Sequence, residues 1–146
     1  MKLILLLSAL IILTSCNKQK SEEKNDPRAI DIETCYRYAG NKDTVQLNAR
    51  IQDSTVTGTL VYKLFEKDKN EGTIQGYMNG DLIIADYVYT SEGTSSVRQV
   101  VFRKAGAVLT EGYGDIVSEK GRTMFKNIDS LNFNNSISLQ QVDCDE

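Results

Sequence analysis

Three charged side chains interrupt otherwise apolar alternations in this chain, and any chemistry it performs would start there. Asp86 alternates with Leu82, Ile84 and Val88, Arg98 with Val100 and Phe102, and Glu111 with Ala107, Leu109 and Tyr113. If those faces point into one core, two carboxylates and a guanidinium share it. A buried charge is costly unless paired, so the three would have to form a network. Such a network could anchor the polar end of a small ligand. It could equally be a structural ion pair, or the 82–90 run could turn its other face inward, with Ile83, Ala85, Tyr87 and Tyr89. A hydrolase working through Asp86 and Glu111 is a further option, and it would need both carboxylates on one open cleft with separated pKa values.

The rest of the inventory narrows the chemistry. The chain has no histidine, which removes Ser-His-Asp and Cys-His catalysis, His-ligated metals and any imidazole proton shuttle. The acidic stretch 68–72 (DKNEG) has the composition of a calcium loop but not its spacing. Glycine falls at the fifth position, and the twelfth is Asn79 where a bidentate glutamate is required, so the stretch is a turn. No catalytic residue, metal site or cofactor is expected. Seven tyrosines and four phenylalanines, with no tryptophan, give a modest aromatic supply that cross-strand packing can absorb.

The three cysteines divide by position. Cys16 follows Lys2, an apolar run over residues 3–13, and Leu13-Thr14-Ser15. The run is shorter than the ~20 residues a membrane-spanning helix needs, so it is the core of a signal peptide. The residues before Cys16 resemble the lipobox of bacterial lipoproteins, which implies cleavage after residue 15 and a lipid on the Cys16 sulfur. Cys35 and Cys144 remain, one near each end of the folded region. Beyond the inner membrane a disulfide between them is permitted, and it would close a loop of about a hundred residues.

The domain boundaries follow from composition: a signal peptide over 1–15, a lipidated flexible tether over 16–33, and one domain over 34–146. The tether is polar throughout residues 17–27 and contains the only proline, at Pro27. With 20 acidic against 17 basic side chains, the formal charge of −3 offers no concentrated basic face for nucleic acid.

From Thr34 onward the hydrophobic period is two. In 43–53, Val45, Leu47, Ala49 and Ile51 share one face while Thr44, Gln46, Asn48 and Arg50 share the other. Residues 55–66 repeat the pattern, and further runs cover 34–39, 73–78, 81–90, 97–104, 107–113, 122–133 and 137–142. Asn79-Gly80 is the strongest hairpin signal, since both residues accept positive φ. Eight to nine consecutive strands without a helix predict an all-β antiparallel meander. Closing it into an up-and-down, lipocalin- or calycin-like barrel removes its edges, with a β-sandwich as the alternative. Closure would also bring the first and last strands together, and with them Cys35 and Cys144.

The runs 58–62 (GTLVY), 71–76 (EGTIQG), 85–89 (ADYVY), 91–93 (SEG), 100–102 (VVF) and 111–114 (EGYG) resemble small lipoproteins of Flavobacteria and related Bacteroidota. The resemblance implies an envelope address and transfers no activity. It implies a protein held to the outer membrane or cell surface by its lipid, or alternatively at the periplasmic face of the inner membrane. The expected function is a non-enzymatic binding module for a small apolar or amphipathic ligand. The alternative is a protein-interaction module, such as a hydrolase inhibitor or an assembly accessory, recognising another envelope protein.

Overall fold

The computed structural model describes residues 33–134 and 136–145. The expected signal peptide over 1–15, Cys16 and the expected tether as far as residue 32 lie outside the described residues.

Ten strands follow one another: β1 (Glu33–Gly40), β2 (Asp43–Gln52), β3 (Thr55–Lys63), β4 (Asn70–Asn79), β5 (Leu82–Ser91), β6 (Thr94–Ala105), β7 (Val108–Glu111), β8 (Ile116–Glu119), β9 (Arg122–Phe125) and β10 (Ser138–Val142), with a 3₁₀ turn over Ile128–Ser130. Antiparallel pairing runs unbroken from β1 to β7, and β10 then fits between β7 and β1, so eight strands close a barrel. The barrel alternative is therefore the one realised, and the sandwich is not. β8 and β9 form a hairpin outside the barrel, joined to it by two parallel pairings, Val97 with Arg122 and Arg98 with Thr123.

Most hairpins use two-residue turns, and the turn chemistry explains their tightness. Asn41 and Lys42 both have positive φ, as do Glu92-Gly93 and Lys120-Gly121, the requirement of the turn whose twist matches its flanking strands. The Asn79-Gly80 signal marks the right place with a register one residue off. Asn79 pairs with Leu82 as the end of a strand, the turn is Gly80-Asp81, and of those two only Gly80 has positive φ.

Alternation along the strands fills the inside. Tyr36, Leu47, Val56, Leu60, Ile74, Ile83, Tyr87, Val100, Phe102, Leu109 and Leu139 belong to one buried cluster within the barrel. Its interior is a packed core. Inward glycines make room for the tight coiling of a small barrel: a Cβ on Gly58 would collide with the Asn48 carbonyl, and one on Gly76 with the Ile84 carbonyl. A second, smaller cluster lies on the outer wall, where Leu131 packs with Ile84 and Val101 and is flanked by Phe125, Ile128 and Phe133.

The expected single strand over 122–133 is thus two things. Its first four residues are β9, and the remainder turns through the 3₁₀ segment to lay Leu131 against the barrel. The strand β8 was not anticipated; Ile116-Val117 is too short an apolar alternation to register.

The barrel has two unlike ends. At one end the described chain enters at Glu33, β10 leaves, and the disulfide joins Cys35 to Cys144 with Cα atoms 5.1 Å apart. The turns 41–42 and 92–93 and the long connection 64–69 lie at the other end, called here the far mouth.

Candidate functional site

The far mouth gathers the polar residues of the barrel interior. Tyr62 lies near the end of β3, Tyr87 and Tyr89 near the end of β5, Arg98 near the start of β6, and Glu111 at the end of β7. Antiparallel order brings all of these strand ends to the same rim. Tyr113 follows β7 directly and is held there by a bridge to Asn132.

Among the described residues, Glu111 is the buried charged side chain. Its two oxygens accept from two tyrosines: the Tyr62 hydroxyl donates to Oε1 at 2.7 Å, and the Tyr113 hydroxyl to Oε2 at 2.8 Å. Burial pushes its carboxyl above the usual glutamate range, against the opposing pull of those hydrogen bonds and of Arg98. Burial and the neighbouring carboxylate likewise push the Tyr62 and Tyr113 hydroxyls up, and burial does the same to Tyr87, so these three remain O–H donors at neutral pH. Tyr87 donates to the Leu60 carbonyl at 3.0 Å, which fixes its ring as a wall of the site.

Arg98 is held differently. Its Nη2 lies 3.9 Å from Glu111 Oε1, an ion pair too long to be a hydrogen bond. Its guanidinium sits 4.9 Å from the Tyr62 ring centroid, 5.6 Å from that of Tyr87 and 5.9 Å from that of Tyr89, in cation–π range of each. The Tyr87 and Tyr89 rings stack at 4.8 Å. Nε is buried and has no hydrogen-bond partner, although 35% of the side chain is exposed. The mouth therefore presents a cation between aromatic walls, its Nη2 beyond hydrogen-bond reach of Glu111. Chemically, that arrangement can hold and orient an acceptor oxygen of another molecule.

Of the three residues singled out by sequence, two meet and one does not. Arg98 and Glu111 come together inside the barrel as expected. Asp86 faces out, and the inward face of β5 is the other alternation, Ile83, Ala85 and Tyr87. Both faces of β5 are apolar because the outer one is covered by Leu131, so the period of two could not tell them apart.

On the outside, Asp86 accepts from Arg122 at 2.8 Å from Nε and 2.5 Å from Nη2. Arg122 escaped notice because its place is set by the β8–β9 hairpin; its position just after the Lys120-Gly121 turn was the available hint. Asp86 and Glu111 thus stand on opposite faces of the barrel wall and do not flank one cleft. The tyrosines of the mouth were visible only as strand formers.

The outer wall carries shallow depressions. One of about 120 Å³ lies beside the disulfide, with Arg37, Gln46, Asn48 and Thr59 among its lining, and one of about 240 Å³ runs past Tyr77, Asp86 and Arg122. Among the described residues no group of three cysteine, histidine or acidic side chains could hold a metal ion. The long connection at the far mouth carries the exposed Phe65, with Lys42 Nζ 4.1 Å from its ring centroid. No family model matches this chain, and neither does any curated protein or solved structure.

Proposed function

We propose that this protein is a non-enzymatic binding module of the cell envelope, tethered through a lipid on Cys16, that takes a polar group of its ligand at the far mouth of the barrel. The observation that carries the reading is Arg98: a partly exposed cation kept at the mouth by aromatic walls and one carboxylate too distant to hydrogen-bond it. Its Nη2 stands 3.9 Å from Glu111 Oε1, beyond hydrogen-bond reach, so an acceptor arriving at the rim has that end of the guanidinium to bond. The packed interior sets the depth of binding, so the bulk of any ligand stays at the rim. The described chain enters the barrel at the opposite end, so a membrane tether leading into Glu33 leaves the far mouth facing away from the anchor.

A protein partner at the same rim is the second reading. It is favoured by Phe65 and Tyr113, exposed by 48% and 44% beside the mouth, since large apolar side chains left open at one end suit contact with another surface.

Native mass spectrometry of protein purified from its own envelope tests both readings. A small mass adduct or a second polypeptide retained by the wild type and lost from Arg98→Ala is expected. Equal loading of the two proteins, or bare protein in both, overturns the mouth as the binding site. The anchor is tested separately. Cys16→Ser is expected to lose the lipid mass and leave the membrane fraction, because stable anchoring needs more than one acyl chain; lipid-modified Cys16→Ser protein in the membrane would remove the tether from the proposal.

A further inference from the structure

The charges at the mouth restrict what can bind there. Arg98 is the cation of the cluster, and its partner Glu111 is engaged elsewhere: Tyr62 holds one carboxylate oxygen and Tyr113 the other, with the guanidinium left at 3.9 Å. With Nε buried, any N–H that Arg98 turns to solvent is at its Nη end. Two parallel N–H groups on a planar end match the two oxygens of a carboxylate, a geometry that a single-point donor such as lysine does not offer. The Tyr62, Tyr87 and Tyr89 rings surround the guanidinium in cation–π range and hold it in place.

An arriving carboxylate would make two anions share one guanidinium. A second anion disfavours the charged form of Glu111, which burial already disfavours. The groups facing Glu111 are the Tyr62 hydroxyl from β3, the Arg98 guanidinium from β6 and the Tyr113 hydroxyl beyond β7, with Tyr87 and Tyr89 of β5 behind the guanidinium. Arg98 is permanently charged. Glu111 is therefore the group able to take a proton, and a tyrosine hydroxyl can rotate to accept from the resulting acid.

We propose that the far mouth binds the carboxylate of a monoanionic ligand end-on to Arg98, and that Glu111 takes up one proton from solvent as it binds. This rests on the mouth being the binding site. Charge balances: one guanidinium faces one ligand carboxylate, and Glu111 is neutral in the complex. A dianion such as a phosphate monoester would leave an uncompensated negative charge against the same arginine. Phe102, Val100 and Leu109 fill the barrel beneath, so the carboxylate is the part that enters and the remainder of the ligand projects from the rim.

The test is a titration of the full chain in non-ionic detergent with benzoate, benzamide and phenyl phosphate, followed through the Arg98 Nε–Hε signal by ¹H–¹⁵N NMR at pH 5 to 8. Benzoate is expected to shift the signal, benzamide to do so at least tenfold more weakly, and phenyl phosphate at least tenfold more weakly at pH 8, where it is a dianion. Above the titration of Glu111, benzoate affinity should fall about tenfold per pH unit, the slope of one proton taken up. Glu111→Gln should abolish that slope, and Arg98→Lys, folded by its amide spectrum, should bind at least tenfold more weakly.

Benzamide binding as tightly as benzoate overturns the carboxylate assignment, phenyl phosphate binding more tightly at pH 8 overturns the monoanion, and a pH-independent benzoate affinity overturns the proton uptake. If no probe moves the signal while native mass spectrometry finds a load lost in Arg98→Ala, the carboxylate falls and the mouth stands. If both experiments are blank, the mouth falls with it.

Discussion

Arg98→Ala and Asp86→Ala remove charges of similar exposure from opposite faces of neighbouring strands, and their costs should differ by what each side chain touches. Arg98 touches three aromatic rings and a buried carboxylate, so its loss is expected to destabilise by about 1–2 kcal/mol, below the cost of breaking a fully buried pair because the contact is long and partly open. Asp86 and Arg122 are both 38% exposed, and removing Asp86 should cost less than about 1 kcal/mol. Urea unfolding of the two variants reads the difference, and a larger loss from Asp86→Ala would reverse the assignment of inside and outside on β5. Glu111 adds a pH dependence of definite sign. Its carboxyl is raised in the folded state, so the native protein holds this proton more tightly than the unfolded chain. The favourable contribution is complete below the unfolded value of about 4.3 and is lost as pH rises through the raised native value. Wild-type stability should therefore fall relative to Glu111→Gln as pH is raised from about 4 to 8; parallel curves would show that Glu111 does not titrate above its unfolded value.

At the scale of elements, the inward glycines are the sensitive positions. A methyl group on Gly58 meets the backbone of β2 at Asn48 and Ala49, and a backbone cannot move aside as a flexible side chain can. Gly58→Ala is expected to lose about 1–3 kcal/mol or more, whereas Thr57→Ala, one residue away and exposed, should stay within about 0.5 kcal/mol. Equal midpoints for the two variants in thermal unfolding would mean that β3 relaxes more freely than its pairing with β2 suggests. The segment 114–133 behaves as a cover over β5 and β6. It is joined to the barrel by two parallel pairings and the small cluster around Leu131, and its hairpin strand β8 is largely exposed.

For the whole molecule, closure is secured twice, by hydrogen bonding of β1 to β10 and by the Cys35–Cys144 bond across a separation of 109 residues. Loop-closure entropy assigns the bond up to about 4–5 kcal/mol. The double variant Cys35→Ala, Cys144→Ala should keep the barrel, because the strand pairing is intact, and unfold at a distinctly lower temperature. An unchanged melting temperature would mean that the pairing alone already restrains the ends. The disulfide and the chain entry lie at one end and the open polar cluster at the other, the separation on which the proposed tethered module relies.

The all-β class, most of the strand positions, the barrel and the cysteine pairing were legible in the residues, because alternation of period two and two-residue turns are local and a meander without helices has few ways to hide its edges. The pairing of Arg98 with Glu111 was legible for the same reason, since each interrupts an apolar alternation, with Val100 and Phe102 and with Leu109, that fills the barrel. Three features required the tertiary structure. β5 has two apolar faces, and which one points inward depends on whether something else covers the other, here Leu131 from a segment some 45 residues away. Arg122 reaches Asp86 only because a hairpin folds back onto the wall. The distance between Glu111 and Arg98 is set by Tyr62 and Tyr113, two residues 51 positions apart that sequence shows merely as strand formers; their hydroxyls hold the carboxylate while the guanidinium keeps an unpaired donor. Local pattern determines which residues share a face, and packing alone decides what that face meets.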